Sequence, residues 1–145
     1  MDNLEQEILA EREHILDTLK VLEKTMRRKR ITVIELSAIG TFLQNTYSGM
    51  ENVLKRILKF KGVPILHTKS YHQDLLKLSV KHKIISEDMS YELKKYLGFR
   101  HFFVHGYGVM MDQEKLIPLA EKLPYVWSKF ELEITKFIES LKDNE

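Results

Sequence analysis

The chain has 145 residues, 43% of them hydrophobic, with a formal net charge of +2; this is the size and apolar content of one ordinary core, so a single domain over residues 1–145 is expected. It has no cysteine, which excludes disulfides, thiolate metal sites and a thiol nucleophile and fits a reducing cytoplasm. The first seven residues are acidic, without an apolar signal core, and purely apolar runs are only a few residues long, so neither export nor a membrane span is expected.

Three prolines and six glycines interrupt long stretches rich in Leu, Ile, Glu and Lys, and no segment alternates apolar and polar residues long enough to pair as a strand. The pattern predicts an all-α, up-and-down bundle of about five helices. The first, from about Asn3 to Met26, carries Leu4, Ile8, Ile15, Leu19 and Leu22 as one apolar stripe. The second, from about Thr32 to Lys61, carries Leu36, Ile39, Leu43, Tyr47, Met50, Leu54 and Ile57 and stops at Gly62-Val63-Pro64. Gly40 and Gly49 within it permit close helix crossing at some loss of helix propensity. Ser70 is the expected N-cap of a short third helix with Leu75, Leu76 and Leu78, ending near Lys83. Ser86-Glu87-Asp88-Met89 joins a capping hydroxyl to acids in the first turn and opens a fourth helix through Leu93 and Leu97 to about His105, where Gly106 and Gly108 loosen it. The last helix is expected over roughly Leu119 to Leu141, with Pro118 and Pro124 near its start and Val126, Phe130, Ile134, Phe137, Ile138 and Leu141 turned inward.

Charge is unevenly spread along these elements. Between residues 51 and 83 eight lysines and arginines stand against Glu51 and Asp74, and Arg27-Arg28-Lys29-Arg30 forms a second basic run. Residues 112–145 hold eight acids against five lysines. The expectation is a basic region suited to a phosphate backbone and an acidic tail, although basic runs at helix ends also simply complement the helix dipole.

Bundle packing accounts for most of the chain but not for Arg100-His101-Phe102-Phe103-Val104-His105-Gly106-Tyr107, where Arg, two His and Tyr crowd the end of an apolar helix. On an ideal helix Arg100 and His105 differ by roughly 140°, whereas Arg100 and Tyr107 differ by roughly 20° and share a face. His101 and His105, four apart, lie on one side. These residue types suit metal-free RNA cleavage, in which the 2′-hydroxyl attacks the adjacent phosphate. A histidine moves the proton as base or acid, and an arginine fork binds the scissile phosphate and stabilises its developing charge. One such Arg and one such His per chain favour a two-fold dimer that doubles both groups in a composite cleft.

The spacing Arg100-x4-His105, with the polar His101 directly after the arginine, matches the R-x4-6-H signature of HEPN domains, which are dimeric helical bundles that include metal-independent ribonucleases. With Tyr107 it becomes R-x4-H-x-Y and resembles the HepT toxins of bacterial HEPN/MNT (type VII) toxin–antitoxin pairs. The resemblance implies that Arg100 and His105 are catalytic and that Tyr107 receives AMP from a cognate minimal nucleotidyltransferase antitoxin; His101, on the same side as His105, is the expected supporting member of the site. The resemblance also implies an RNA substrate, a homodimer, and no cofactor or metal. Gly106 departs from the polar residue expected before the tyrosine.

Other readings stay open. An arginine and a histidine can be ordinary helix-end groups; His101 and His105 are spaced as a metal pair but lack a nearby Cys or Glu; and the same domain can serve as a non-enzymatic adaptor that binds a nucleotidyltransferase and presents substrate to it. Tyr47 and Glu51, four apart on the second helix, read as a buried tyrosine beside a carboxylate rather than as catalysts. His67, His72 and His82 read as solvated, and Phe99, Phe102, Phe103 and Trp127 as core or dimer contacts.

Overall fold

A computed structural model, which describes residues 1–104 and 113–144, gives five helices in these segments: α1 (Asp2–Met26), α2 (Val33–Phe60), α3 (Tyr71–Lys81), α4 (Glu87–Val104) and α5 (Gln113–Asp143). The described residues contain no strand, and the fold is a helical bundle as the periodicity predicts.

The longest apolar stripe in the sequence becomes the centre of the bundle. Ile39, Leu43, Tyr47, Met50, Leu54 and Ile57 of α2 are each at most 1% exposed, and α2 packs against all four other helices. Its start is fixed by a capping box: Thr32 Oγ1 accepts from Glu35 N at 3.2 Å while Glu35 Oε1 accepts from Thr32 N at 3.1 Å. Along α1, Leu4, Ile15, Leu19 and Leu22 are buried against this helix and Ile8 is half-buried. The crossing is close at Gly49, where an added Cβ would stand 2.7 Å from Ile15 Cγ1 and 2.8 Å from its Cδ1.

Two helix starts differ from expectation. Ser70 does occupy the N-cap of α3, but its hydroxyl makes no cap bond; it donates instead to the Asp74 carboxylate at 2.9 Å, a charged acceptor that competes well against a backbone amide. Ser86 caps as predicted, accepting from Met89 N at 3.0 Å, and its own N and Oγ donate to Glu133 of α5. α5 begins at Gln113 rather than near Leu119, so Pro118 and Pro124 lie inside it. Each proline removes one helical hydrogen bond, but Leu116, Ala120, Leu123, Val126, Trp127, Phe130 and Ile134 form a buried stripe that holds the helix to the core across both. Phe137 and Ile138 pack at its edge. Tyr96 of α4 adds a buried link, its hydroxyl donating to Leu119 O at 2.8 Å.

The Gly49 contact sets opposing effects against each other. An alanine there gains about 1 kcal/mol of helix propensity but overpacks Ile15 at a typical cost of about 1–3 kcal/mol. Gly49→Ala is therefore expected to lower stability by roughly 1 kcal/mol in urea unfolding. Combined with Ile15→Ala it should cost less than the two single changes added together, and strict additivity would show that the two positions do not touch.

A basic cleft between the third and fourth helices

The chain turns at Gly62 in the left-handed region, φ +74, and returns through Pro64–Ser70 to lay α3 beside both α2 and α4. Leu75 and Leu76 of α3 and Leu93 and Tyr96 of α4 are buried, so the two helices share a core and their outer sides face each other across a cleft of about 760 Å³. Its wall is Lys69, Ser70, His72, Gln73 and Lys77 from the start and outer face of α3 and Lys94, Leu97, Gly98, Arg100 and His101 from α4. Among the described residues four permanent cations and two imidazoles line it and no carboxylate does, so the cleft presents a concentrated positive field to an anion.

Of the residues singled out in the sequence, Arg100 and His101 both line this cleft. Arg100 is half-buried, and its Nε is buried with no hydrogen-bond partner among the described residues. His101 is exposed. His105 and Tyr107 lie outside the described residues, as does the expected loosening of the helix at Gly106. Phe99 stacks on Phe103 with ring centroids 5.8 Å apart, and Trp127 is 5% exposed and tilted against Phe130, so Trp127 belongs to the core.

Behind the cleft lies a polar cluster of which the sequence revealed only the Tyr47–Glu51 spacing. Tyr47 and Glu51 share one face of α2, 1% and 3% exposed. His72 Nδ1 donates to Glu51 Oε2 at 2.7 Å and Oε1 at 3.0 Å, across 21 residues of sequence. Burial pushes the Tyr47 hydroxyl well above the usual tyrosine range, the Glu51 charge pushes it further, and the Arg100 guanidinium partly offsets both. The phenol is thus a neutral group in the field of a carboxylate and a guanidinium, and its oxygen makes no hydrogen bond among the described residues. The reading of Tyr47 and Glu51 as buried neighbours holds, with one addition: the carboxylate's hydrogen-bond partner is His72, expected to be solvated and found half-buried on the cleft wall. The usable signal was an acid beside an apolar stripe, since a carboxylate buried there requires a partner.

Other members of the basic stretch are engaged elsewhere. Arg56 pairs with Glu7 and Glu11 of α1, while Lys55 sits over the Tyr71 ring, on which His67 stacks. Only Lys69 and Lys77 of that stretch reach the cleft, joined by Lys94 from α4. Among the described residues no group of three or more His, Cys, Asp or Glu is placed to hold a metal ion, and no described helix is long and apolar enough to cross a membrane.

Residues 38–141 match the family described as HepT-like protein, a span that includes all of α3 and α4 and the whole cleft wall. No curated protein and no solved structure matches the chain.

Lys69 and Lys77 are exposed, so reversing them tests the cleft without disturbing the core. Lys69→Glu combined with Lys77→Glu is expected to weaken binding of a short single-stranded oligonucleotide at least tenfold, and to reduce the log–log salt slope by roughly 1.4 if both meet phosphates. An unchanged slope in filter binding would place the polyanion elsewhere.

Proposed function

This chain belongs to the HepT-like protein family, and from that premise we propose that it is a metal-independent endoribonuclease toxin whose motif arginine works in the basic cleft. The observation that carries this reading is the position of Arg100: the first residue of R-x4-H stands in a basic cleft with Lys69, Lys77, Lys94 and His101. The Arg100 guanidinium on this wall carries a planar fork of donors that matches two phosphate oxygens.

In the proposed reaction the 2′-oxygen forms a bond to phosphorus and the P–O5′ bond breaks, leaving a 2′,3′-cyclic phosphate and a 5′-hydroxyl. The proton lost from the 2′-hydroxyl goes to a base, and an acid returns one to the departing 5′-oxygen, so no water or metal is consumed. Arg100 stabilises the charge that develops on the phosphoryl oxygens; His105 carries one of the protons; His101 supports the phosphate from the same wall. A two-fold pairing of motif helices doubles these groups.

The same reading gives Tyr107 a regulatory part. A minimal nucleotidyltransferase antitoxin transfers AMP from ATP to the Tyr107 oxygen, and pyrophosphate leaves. On a continued helix that tyrosine stands roughly 20° from Arg100, so an added anion there competes with RNA phosphate for the guanidinium.

Chelator-treated protein is expected to cut single-stranded RNA, and Arg100→Ala and His105→Ala should each lower the rate by two or more orders of magnitude with the fold retained. Undiminished cleavage by either variant refutes its assignment. After incubation with ATP and the transferase, mass spectrometry should place adenylate on Tyr107; adenylate confined to another residue would overturn the regulatory part alone.

A further inference from the structure

The motif supplies each chain with one proton carrier in His105, whereas cleavage by 2′-hydroxyl attack uses two. The cleft contains another imidazole whose surroundings fit that task. His72 is backed by a buried carboxylate: the Glu51 side chain is 4% exposed, that of His72 30%. Because Nδ1 donates to both Glu51 oxygens, the neutral ring carries its proton on Nδ1 and leaves the Nε2 lone pair free. Among the described residues Nε2 makes no hydrogen bond. The orientation is over-determined, since His72 sits in the first turn of α3 with its ring edge-on to Tyr71, centroids 5.3 Å apart.

From this geometry, and resting on the ribonuclease reading above, we propose that His72 is a second catalytic histidine: Nε2 removes the proton of the attacking RNA 2′-hydroxyl, with Glu51 as the positioning residue that fixes its tautomer. The 2′-oxygen then bonds to phosphorus as P–O5′ breaks, and the proton on the departing oxygen comes from a different group, His105. The resulting imidazolium at His72 is stabilised by the carboxylate behind it, as in other carboxylate–histidine pairs. Base and phosphate-binding arginine thus come from one chain, on α3 and α4, whether or not two clefts merge in a dimer.

A purely structural role for the pair is the competing account, and the choice of variant separates the two. His72→Asn keeps a side-chain N–H in the place of Nδ1 to donate to Glu51 but has nothing in the place of Nε2. It is expected to melt close to the wild-type temperature while kcat for cleavage of a single-stranded RNA falls about a hundredfold, with KM within threefold. Glu51→Gln should lower kcat about tenfold and shift the His72 ring toward the Nε2–H tautomer in long-range nitrogen–proton NMR spectra, a change that a packing role would not produce. Wild-type kcat in His72→Asn overturns this inference alone, because the wild-type protein still cuts and Arg100→Ala still fails. A His72 ring in the Nε2–H tautomer in the wild-type protein overturns it as well. Wild-type protein that cuts no RNA overturns the ribonuclease reading and the role of His72 together.

Discussion

A carboxylate buried in the middle of a protein has to be compensated, and in this chain that requirement falls on Glu51. It sits on α2, the helix that every other helix packs against, so its surroundings are fixed by the whole core. Water is excluded there, and the hydrogen bonds it receives come from His72. Removing the partner of a buried charge typically costs about 3–5 kcal/mol, which is enough to hold the start of α3 in one place against α2. The position of α3 in turn decides that Lys69, His72 and Lys77 face α4. The cleft is therefore a consequence of satisfying one buried acid, as much as of packing apolar faces.

The electrostatics of the site follow from the same arrangement. Carboxylates elsewhere on the surface are drawn into pairs with the cations near them: Glu7 and Glu11 with Arg56, Glu35 with Arg28, Glu92 with Lys95 and Lys122. Asp74, the acid on α3, is turned toward Ser70. Among the described residues the cleft wall carries Lys69, Lys77, Lys94 and Arg100 and no carboxylate, and Glu51 lies behind the wall, covered by the imidazole it orients. Tyr47 stays neutral there, its hydroxyl pushed up by burial and by the Glu51 charge and partly offset by Arg100.

Family membership and physical reading meet at α4. The family match spans residues 38–141, and within it the arginine of the R-x4-H spacing lies on the cleft wall, not in the core. A guanidinium serving only as a helix-end group has no need of a basic cleft around it. The arrangement of Arg100, His101, His72 and the three lysines is one that repels like-charged surfaces and concentrates polyanions, which is the physical content behind reading the cleft as a place for RNA.

The sequence by itself determined the helices, because apolar periodicity and cap residues are local properties: the stripe of α2, the Ser86 cap and the end of α2 at Gly62 were all legible. So was Arg100, since its spacing to His105 and Tyr107 is a property of one helix. The extent of α5 was not, because the penalty of Pro118 and Pro124 is local while the burial that outweighs it comes from other helices. The Ser70 hydroxyl was read as a cap because the choice between a backbone amide and the Asp74 carboxylate depends on side-chain geometry. His72 and Glu51 were each read as bland for the same reason: their pairing joins two helices across 21 residues, and no period within either helix records it. Local chemistry fixed which residues form each element; only tertiary packing decided which basic residues of the 51–83 stretch share a cleft with the motif arginine, because that depends on where α3 comes to rest.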